Sequence, residues 1–296
     1  MMSAQVLHPD LRIYTMTQIA RISSDINLQE LYNHLEINDV ITYIEYADLP
    51  GKGVRLKPKK VVVPSKSQDL KPTKRKKYFY NQVTIHLFNQ KIVNVKIFNN
   101  GGIQMTGLKE VDMGDKTVNM LLKEIQGIPS SDIISVLPKN QMPSIMSEMT
   151  RIVTMNSYFD IGFRINREVL HRSIVEENYY SSFETAIYPG VNIKYYYNLP
   201  KQQTGICNCS GPCDGKGHNE SCKKITVAVF NSGKIIIMGA QSLEHIRTAH
   251  QFITGFIERH KEFIEVPAPA AGGAPAAAGG AVAAGGAVAG GAAAVA

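Results

Sequence analysis

The segment IVNVKIFNNGGIQMTG, residues 92–107, has a second version in the chain, KITVAVFNSGKIIIMG, residues 224–239. At an offset of 132 the two segments share apolar, aromatic and glycine positions, namely Val95 and Val227, Phe98 and Phe230, and Gly101 and Gly233. Each version alternates apolar residues, breaks at Asn-x-Gly and then resumes the alternation, which is the pattern of two strands joined by a tight turn. The match indicates an internal duplication.

The duplication extends on both sides of this segment, and its offset changes along the chain. Residues 13–16 and 26–31 resemble residues 152–155 and 165–170 at an offset of 139. Residues 80–85 resemble residues 188–193 at an offset of 108. The first copy therefore holds 139 − 108 = 31 extra residues before Tyr80, and the second holds 132 − 108 = 24 extra residues after Ile193. Each half of the chain carries its own insertion.

Both copies are predicted to contain a strand, a helix, three more strands and a closing helix. The strands are expected at 12–22, 80–88, 91–98 and 102–107 in the first copy and at 151–161, 188–197, 224–230 and 234–239 in the second. The helices are expected at 27–36, 113–126, 166–175 and 242–260. Short turns between strands predict an antiparallel sheet, and helices on one face of it give an α+β fold. The other face would be open, and there we expect the function.

The expected domain organisation has five parts. They are an N-terminal extension (1–11), repeat 1 (12–126, with a basic insertion at about 47–78), a linker (127–150), repeat 2 (151–266, with a Cys-rich insertion at about 199–223) and a tail (267–296). The tail is almost wholly Ala, Gly, Val and Pro, and we expect it to be disordered. Outside it we find neither an apolar run of about 18 residues nor a signal-peptide core, so we expect no membrane span and no secretion.

A basic segment, KGVRLKPKKVVVPSKSQDLKPTKRKK (52–77), lies in the first insertion and contains eleven Lys and Arg residues and one Asp. The formal net charge of the chain is 32 − 25 = +7, so the remainder is about −3. The Pro and Lys content predicts a solvated arm. This arm is either a solubilising loop or, as we expect, a segment that binds phosphates of a polyanion. Within it, Lys74, Arg75, Lys76 and Lys77 are also similar to a nuclear-import signal.

The second insertion contains all four cysteines of the chain, Cys207, Cys209, Cys213 and Cys222. In a protein that is not secreted, such a cluster favours a metal site over disulfides. Four thiolates can form a tetrahedral, structural Zn²⁺ site, in which His218 could replace one cysteine. Free or redox-active thiols and paired disulfides are the alternatives, because the C-x-C-x₃-C-x₈-C spacing differs from the usual pair of C-x-x-C knuckles.

Residues 180–196, YSSFETAIYPGVNIKYY, and residues 223–242, KKITVAVFNSGKIIIMGAQS, resemble the second repeat of the TATA-box-binding protein (TBP) family. The family's pattern there is Ser-Ser-Tyr/Phe-Glu, then Phe-Pro-Gly, then Ile-Phe-x-Ser-Gly-Lys-Ile-Val-x-Thr-Gly-Ala-Lys. The Cys-rich insertion and the divergence are more similar to the TBP-like proteins of large nucleocytoplasmic DNA viruses. The resemblance implies a saddle, a curved ten-stranded antiparallel sheet with helices on its convex face and the DNA minor groove on its concave face. Kinking of DNA by inserted apolar side chains is a known property of this same family and is implied here by the resemblance alone.

The family inserts two pairs of Phe wedges into DNA, one pair from each repeat. The resemblance places the second wedge of each pair at Phe98 and Phe230, just before the Asn-x-Gly turns. It places the first wedges at Tyr80 and Tyr188, where Tyr replaces Phe in both repeats. A Tyr ring can still enter a base step, but its hydroxyl needs water or a polar partner.

Further DNA contacts are implied at the groove floor and at phosphates. The resemblance assigns a phosphate contact to Lys194, whose repeat mate is His86, and a groove or phosphate contact to Lys234. Thr15 and Thr154 replace the family's paired Asn residues at the centre of the sheet. Thr106 keeps a family Thr at the groove floor, whereas Met238 replaces its partner. These replacements leave the preferred DNA sequence open.

These observations predict a transcription initiation factor that binds and bends double-stranded DNA and contacts initiation factors or RNA polymerase through its convex face. The alternative is a protein-interaction or virion structural module that has lost sequence-specific DNA binding. Aromatic residues on strands are usually core residues, but the wedge positions are expected on the face that the helices leave open. We find no nucleotide-binding glycine loop, nucleophile elbow or paired carboxylates, so we expect no enzyme. The expected location is the nucleus or a cytoplasmic viral factory.

Overall fold

The computed structural model describes residues 10–55, 78–137, 150–198, 203–217 and 221–267. Several predicted site residues lie outside the described residues, namely Lys74, Arg75, Lys76, Lys77 and His218. Most of the predicted tail lies outside them as well. In the described part of the chain, none of the helices combines the length and the apolarity needed to cross a membrane.

Strands account for more of the described residues than helices do. Those of the first repeat are β1 (Arg12–Arg21), β2 (Ile41–Tyr46), β3 (Lys52–Gly53), β4 (Gln82–Asn89), β5 (Lys91–Phe98) and β6 (Gly102–Leu108). Those of the second are β7 (Arg151–Asp160), β8 (Arg164–Ile165), β9 (Tyr180–Ser182), β10 (Val191–Tyr197), β11 (Lys223–Val229), β12 (Lys234–Ala240) and β13 (Glu265–Val266). The helices are α1 (Leu28–His34), α2 (Met113–Gln126), α3 (Ser130–Val136), α4 (Arg167–Glu176), α5 (Leu243–Arg259) and α6 (Lys261–Ile264).

Eleven of these strands form one antiparallel sheet, in the order β3-β2-β4-β5-β6-β1-β7-β12-β11-β10-β9, while β8 pairs with β13. The two repeats join through β1 and β7. Met16 is paired with Met155. At the offset of 139, Arg12 corresponds to Arg151 and Tyr158 corresponds to Ile19. The pair Arg12–Tyr158 on one side of Met16–Met155 therefore matches the pair Ile19–Arg151 on the other side. A pseudo-twofold axis therefore passes through the Met16–Met155 pair.

The two Asn-x-Gly turns hold equivalent places in the two repeats. Gly101 and Gly233 have φ values of +79° and +86°, a backbone conformation that glycine adopts without steric cost. The carbonyl of Gly101 accepts a hydrogen bond from the amide of Ile22 (2.8 Å), and the carbonyl of Gly233 accepts one from Ile161 (3.1 Å). A Cβ at either glycine would lie within 2.5 Å of a backbone carbonyl oxygen. Glycine is thus required for each hairpin to pack against the end of its repeat's first strand.

Helices cover one face of the sheet, because α2 and α5 each present an apolar stripe to the strands. The buried residues form a hydrophobic core between helices and sheet, including Val95, Ile97, Leu121, Val227 and Ile253. Alternate residues of the same strands, such as Lys96 and Thr226, are only half-buried on the other face. The predicted α+β fold, with two pseudo-symmetric repeats that share one antiparallel sheet, is confirmed. We call the face without helices the open face.

Several predicted elements need correction. Residues 41–46 and 180–182 were not among the predicted strands but form β2 and β9. The sheet has eleven strands instead of ten, because Lys52 and Gly53 pair with β2 at the edge. Strands β4 and β10 begin at Gln82 and Val191, so Tyr80 and Tyr188 precede them. The predicted linker contains α3.

Candidate nucleic-acid interface

The second repeat brings its two predicted wedges together. The ring centroids of Tyr188 and Phe230 are 5.8 Å apart, and their planes are tilted by 59°. Gly190 makes room for both rings, since a Cβ there would lie 2.9 Å from the Tyr188 ring and 3.3 Å from the Phe230 ring. Both aromatic residues are half-buried, and burial raises the pKa of Tyr188. The two rings therefore form a contacting aromatic pair at the end of the β11–β12 hairpin.

The first repeat places its wedges differently. Phe98 ends β5 and is half-buried, like Phe230. Tyr80 is 62% exposed, and its carbonyl accepts a hydrogen bond from the Tyr46 hydroxyl (3.2 Å). No ring contact joins Tyr80 to Phe98 within the described residues. The two ends of the duplicated sheet thus differ, with rings in contact in repeat 2 and apart in repeat 1.

Most of the other predicted contact residues lie on the open face. Lys194 is half-buried, and its Nζ donates to Thr226 Oγ1 (2.9 Å). Burial, and secondarily Lys224, lower the pKa of Lys194. Thr106 and Met238 hold equivalent places, paired with Asn94 and Thr226 respectively. Lys234 is exposed at the start of β12.

His86, the repeat mate of Lys194, is buried at the outer part of the sheet. Its ring contacts Tyr43 (centroids 5.1 Å apart), and Nε2 lies 3.5 Å from Asn94 Nδ2. Burial lowers the pKa of His86, so the ring is neutral at pH 7. His86 therefore cannot supply the positive charge that Lys194 supplies in the second repeat.

The centre of the open face contains residues that the sequence analysis missed. In β1 the side chains of Ile13 and Met16 both pack into the core, and the register shifts between them. Tyr14 and Thr15 consequently both face away from the core, as in a β-bulge. The sequence did contain a signal for this bulge, because the core residues Ile13 and Met16 are three positions apart. In a regular strand side chains alternate between the two faces, so core residues are separated by an even number of positions.

The same bulge recurs in β7, where Val153 and Thr154 lie between the core residues Ile152 and Met155. The predicted central pair, Thr15 and Thr154, is half-buried, whereas Tyr14 is 64% exposed and Val153 36% exposed. Tyr14 and Val153 are therefore the more accessible residues at the centre of this face.

The basic segment is partly held by the fold. Lys52 lies in β3, with its Nζ 4.5 Å from the centroid of the Tyr32 ring, and burial lowers its pKa. Arg55 Nη1 lies 3.0 Å from Glu45 Oε2. These two residues were expected to belong to a solvated arm, and their internal contacts correct that expectation. Nine further basic residues, between 56 and 77, lie outside the described residues.

The four cysteines converge in the insertion between β10 and β11. Their Sγ atoms all lie within 4.8 Å of one another, with 3.4 Å between Cys209 and Cys222 and 3.8 Å between Cys207 and Cys222. All four are free thiols. A tetrahedral ion with metal–sulfur bonds of about 2.3 Å separates its sulfurs by about 3.8 Å. The four thiols therefore lie close enough together to hold one metal ion.

Hydrogen bonds around this cluster organise the sulfurs. The buried Asn198 donates from Nδ2 to Cys222 Sγ (3.4 Å) and to Asn208 Oδ1 (3.0 Å). Two backbone hydrogen bonds tie the insertion to the ends of the neighbouring strands, Tyr196 to Gly205 and Lys224 to Gly215.

The thiols respond differently to this environment. A backbone hydrogen bond from Cys222 lowers the pKa of Cys209. Burial raises the pKa of Cys213, and it raises the pKa of Cys222 to about 12. A bound cation would reverse the effect of burial, because metal coordination deprotonates thiols.

Comparisons with known proteins support the resemblance to the TBP family. Residues 149–260 match the family model described as "Transcription factor TFIID (or TATA-binding protein, TBP)". The chain is 29% identical over 210 residues to a "TATA-box-binding protein-like" protein of Acanthamoeba polyphaga mimivirus. That alignment covers 66% of this chain and 53% of the viral protein, so the chain spans about half the length of this relative.

Among solved structures, Methanococcus jannaschii TBP is similar with a TM-score of 0.47 and 19% sequence identity, over 85% of this chain and 99% of that one. The family match lies in the second repeat, where the sequence resemblance is also stronger. The predicted resemblance to the TBP family and to TBP-like viral proteins is confirmed. The matched family is one of transcription factors, in agreement with the prediction that the chain is not an enzyme.

Proposed function

We propose that this protein is a transcription initiation factor that binds double-stranded DNA in the minor groove and bends it. The observation that carries the proposal is the open face, which presents Phe98 and Phe230 at equivalent hairpin ends of a pseudo-symmetric sheet. Apolar side chains at such positions can enter base steps and unstack them, at a cost of a few kcal/mol per step. The family match to a DNA-binding transcription factor supports the same conclusion.

The remaining surfaces fit this role. Lys194 in β10 and Lys234 at the start of β12 lie on the open face of the second repeat, and we assign to them phosphate contacts, which position a protein on DNA without reading bases. The helix-covered face stays accessible when the open face is on DNA, and we assign contacts with initiation factors or RNA polymerase to it. The resemblance to the mimivirus protein favours a viral origin, with transcription in the nucleus or in a cytoplasmic viral factory.

Selection of bound sequences from random duplex DNA tests the proposal, with bending of the selected duplexes measured by their electrophoretic mobility. We expect enrichment of sites that contain flexible pyrimidine–purine steps, because such steps unstack easily. The expected bend is a kink at each end of the site. An absence of both enrichment and bending would favour the interaction-module alternative.

We further propose that Cys207, Cys209, Cys213 and Cys222 bind one structural Zn²⁺ ion. The separations of their sulfurs and the lack of any oxygen ligand among them suit Zn²⁺ better than Mg²⁺ or Ca²⁺, which prefer oxygen. An ion at this position would join the two ends of a polar, Gly-rich insertion that buries little apolar surface of its own. Zinc would support the fold at the edge of the sheet, without a catalytic role.

A further inference from the structure

The two halves of the open face also differ at its centre. The start of β1, with Tyr14, lies opposite the part of β7 that contains Tyr158. This part of β7 is paired with β12, Tyr158 with Ile236, so both tyrosines lie on the side of the pseudo-twofold axis nearer to β12. Tyr14 is 64% exposed and Tyr158 is 40% exposed. Their ring centroids are 6.2 Å apart with an interplanar angle of 82°, an edge-to-face contact that holds the rings against each other. No hydrogen bond joins either hydroxyl to another of the described residues.

At the offset of 139 that relates the repeats here, Tyr14 corresponds to Val153 and Tyr158 corresponds to Ile19. Ile19 lies nearer to β6, where it is paired with Gln104. The side of the axis next to the second repeat therefore carries two hydroxyl groups at the centre of the open face. The side next to the first repeat carries two aliphatic side chains at the equivalent positions.

Base pairs in the minor groove differ in one group. A·T and T·A pairs present only acceptors there, whereas a G·C pair adds the N2 amino donor of guanine. A tyrosine hydroxyl can accept a hydrogen bond from this amino group and can also donate to the acceptors of an A·T pair. Valine and isoleucine can do neither, so a guanine amino group against them is left unpaired and desolvated.

We infer that Tyr14 and Tyr158 make the centre of the DNA site asymmetric, so that the protein accepts a G·C pair on the tyrosine side and rejects it on the side of Ile19 and Val153. The inference rests on the proposed function, since it assumes that the open face binds the minor groove. It assigns a direction to binding that comes from the face itself, without any partner protein. A site with a G·C pair on one side of its centre is then bound in one orientation.

Palindromic duplexes test this inference most directly, because the protein can bind them in either orientation. The probes are a palindromic duplex of A·T pairs, the same duplex with one G·C pair next to its centre, and a third with one G·C pair on each side. We expect the first two to bind with equal affinity, since the protein turns to place the G·C pair against the tyrosines. The third should bind roughly tenfold more weakly, within the range of about 1–3 kcal/mol for one unsuitable base pair.

The double variant Tyr14→Phe/Tyr158→Phe keeps both rings and their packing and removes only the hydroxyls. In this variant a single G·C pair should already lower the affinity roughly tenfold relative to the variant's own affinity for the A·T duplex. Equal affinity of wild type for the second and third duplexes, or unchanged discrimination in the double variant, would overturn the inference alone. Failure of wild type to bind any of the duplexes would overturn the proposed function together with it.

Discussion

The rings of Tyr188 and Phe230 pack against each other with centroids 5.8 Å apart, whereas their counterparts Tyr80 and Phe98 make no such contact among the described residues. The contact depends on Gly190, whose place in the first repeat is taken by Gln82. One end of the proposed DNA site is therefore formed before binding, and the other has Tyr80 in solvent. A preformed pair gives up less conformational entropy on binding.

Replacement of either hairpin phenylalanine should weaken DNA binding and bending with little loss of protein stability. Phe230→Ala and Phe98→Ala remove half-buried rings, so each should cost well below the roughly 3–5 kcal/mol of a core Phe→Ala change. Both should reduce DNA bending and affinity, and the double variant should still bind DNA without kinking it. Thermal melting and a bending assay measure the two effects.

Phe256→Ala, at a fully buried ring of α5, is the matched control that should lower the melting temperature. If Phe98→Ala or Phe230→Ala unfolds the protein, these rings are core residues.

Gly190→Ala should disturb the aromatic pair directly. The added Cβ would lie 2.9 Å from the Tyr188 ring, closer than real Cβ atoms approach other atoms, so the rings must move apart. We expect weaker bending with a folded protein, because the two rings are at the surface. Gly211→Ala serves as the control, since a Cβ there meets no atom within 4 Å. Equal bending by both variants would show that the preformed pair has no role.

Deletion of residues 56–77 should weaken binding to all duplexes alike. The deletion removes nine basic residues but keeps β3 and its contacts. The slope of log affinity against log salt should become less steep by roughly 0.9 for each phosphate that the segment neutralises. Binding titrations at several salt concentrations measure it, with a scrambled segment of the same composition as the control. A slope that does not change would place this segment away from DNA.

Protein purified without a chelator should contain one zinc ion per chain by elemental analysis. Cys213→Ser should lower both the zinc content and the melting temperature, because an ion with three thiolates binds less tightly. Ser210→Ala, in the same exposed insertion, should change neither. Substoichiometric metal together with four freely titrating thiols would contradict the zinc proposal.

The protein should become less stable as the pH falls below about 6.5, in part through His245. Burial, and secondarily Lys223, lower the pKa of His245 to about 4, and its Nδ1 accepts a hydrogen bond from the Gln241 amide (3.2 Å). Between these pH values the unfolded chain takes up a proton that the folded chain does not, so the stabilisation present above pH 6.5 decreases. His245→Asn should make the free energy of unfolding less dependent on pH between 7 and 4. Denaturant titrations measure it, and a variant as sensitive to acid as wild type would contradict the assignment.

Local patterns in the sequence were enough to predict the hairpins and the closing helices. The strands β5 and β6 and the helix α2 follow the predicted ranges closely, because alternation and helical spacing are properties of the segment itself. Strand β9 could not be predicted in this way, since it has three residues and exists through its pairing with β10. The duplication made these predictions firmer than single segments allow. A weak pattern in one repeat could be compared with the clear pattern at the equivalent place in the other.

The site was harder to predict than the fold. The family pattern indicated Phe98, Phe230, Thr15 and Thr154, but it gave no sign of Tyr14 and Val153, which are more exposed at the centre of the face. The bulges that expose Tyr14 and Val153 lie where β1 pairs with β7, so they depend on contact between the repeats. The contact of Lys52 with the Tyr32 ring could not be predicted either, because the composition of its segment indicated a solvated arm.

The Met16–Met155 pair has an evolutionary consequence. A single ancestral repeat would have left the long edge of its first strand unpaired, and such edges aggregate unless another strand covers them. Two identical copies joined at this edge form a closed dimer with twofold symmetry. Gene fusion of such a dimer frees each half to change alone. In this chain one half contains an insertion rich in lysine and the other an insertion with four cysteines, and neither half has to fit a second copy of its own insertion across the axis.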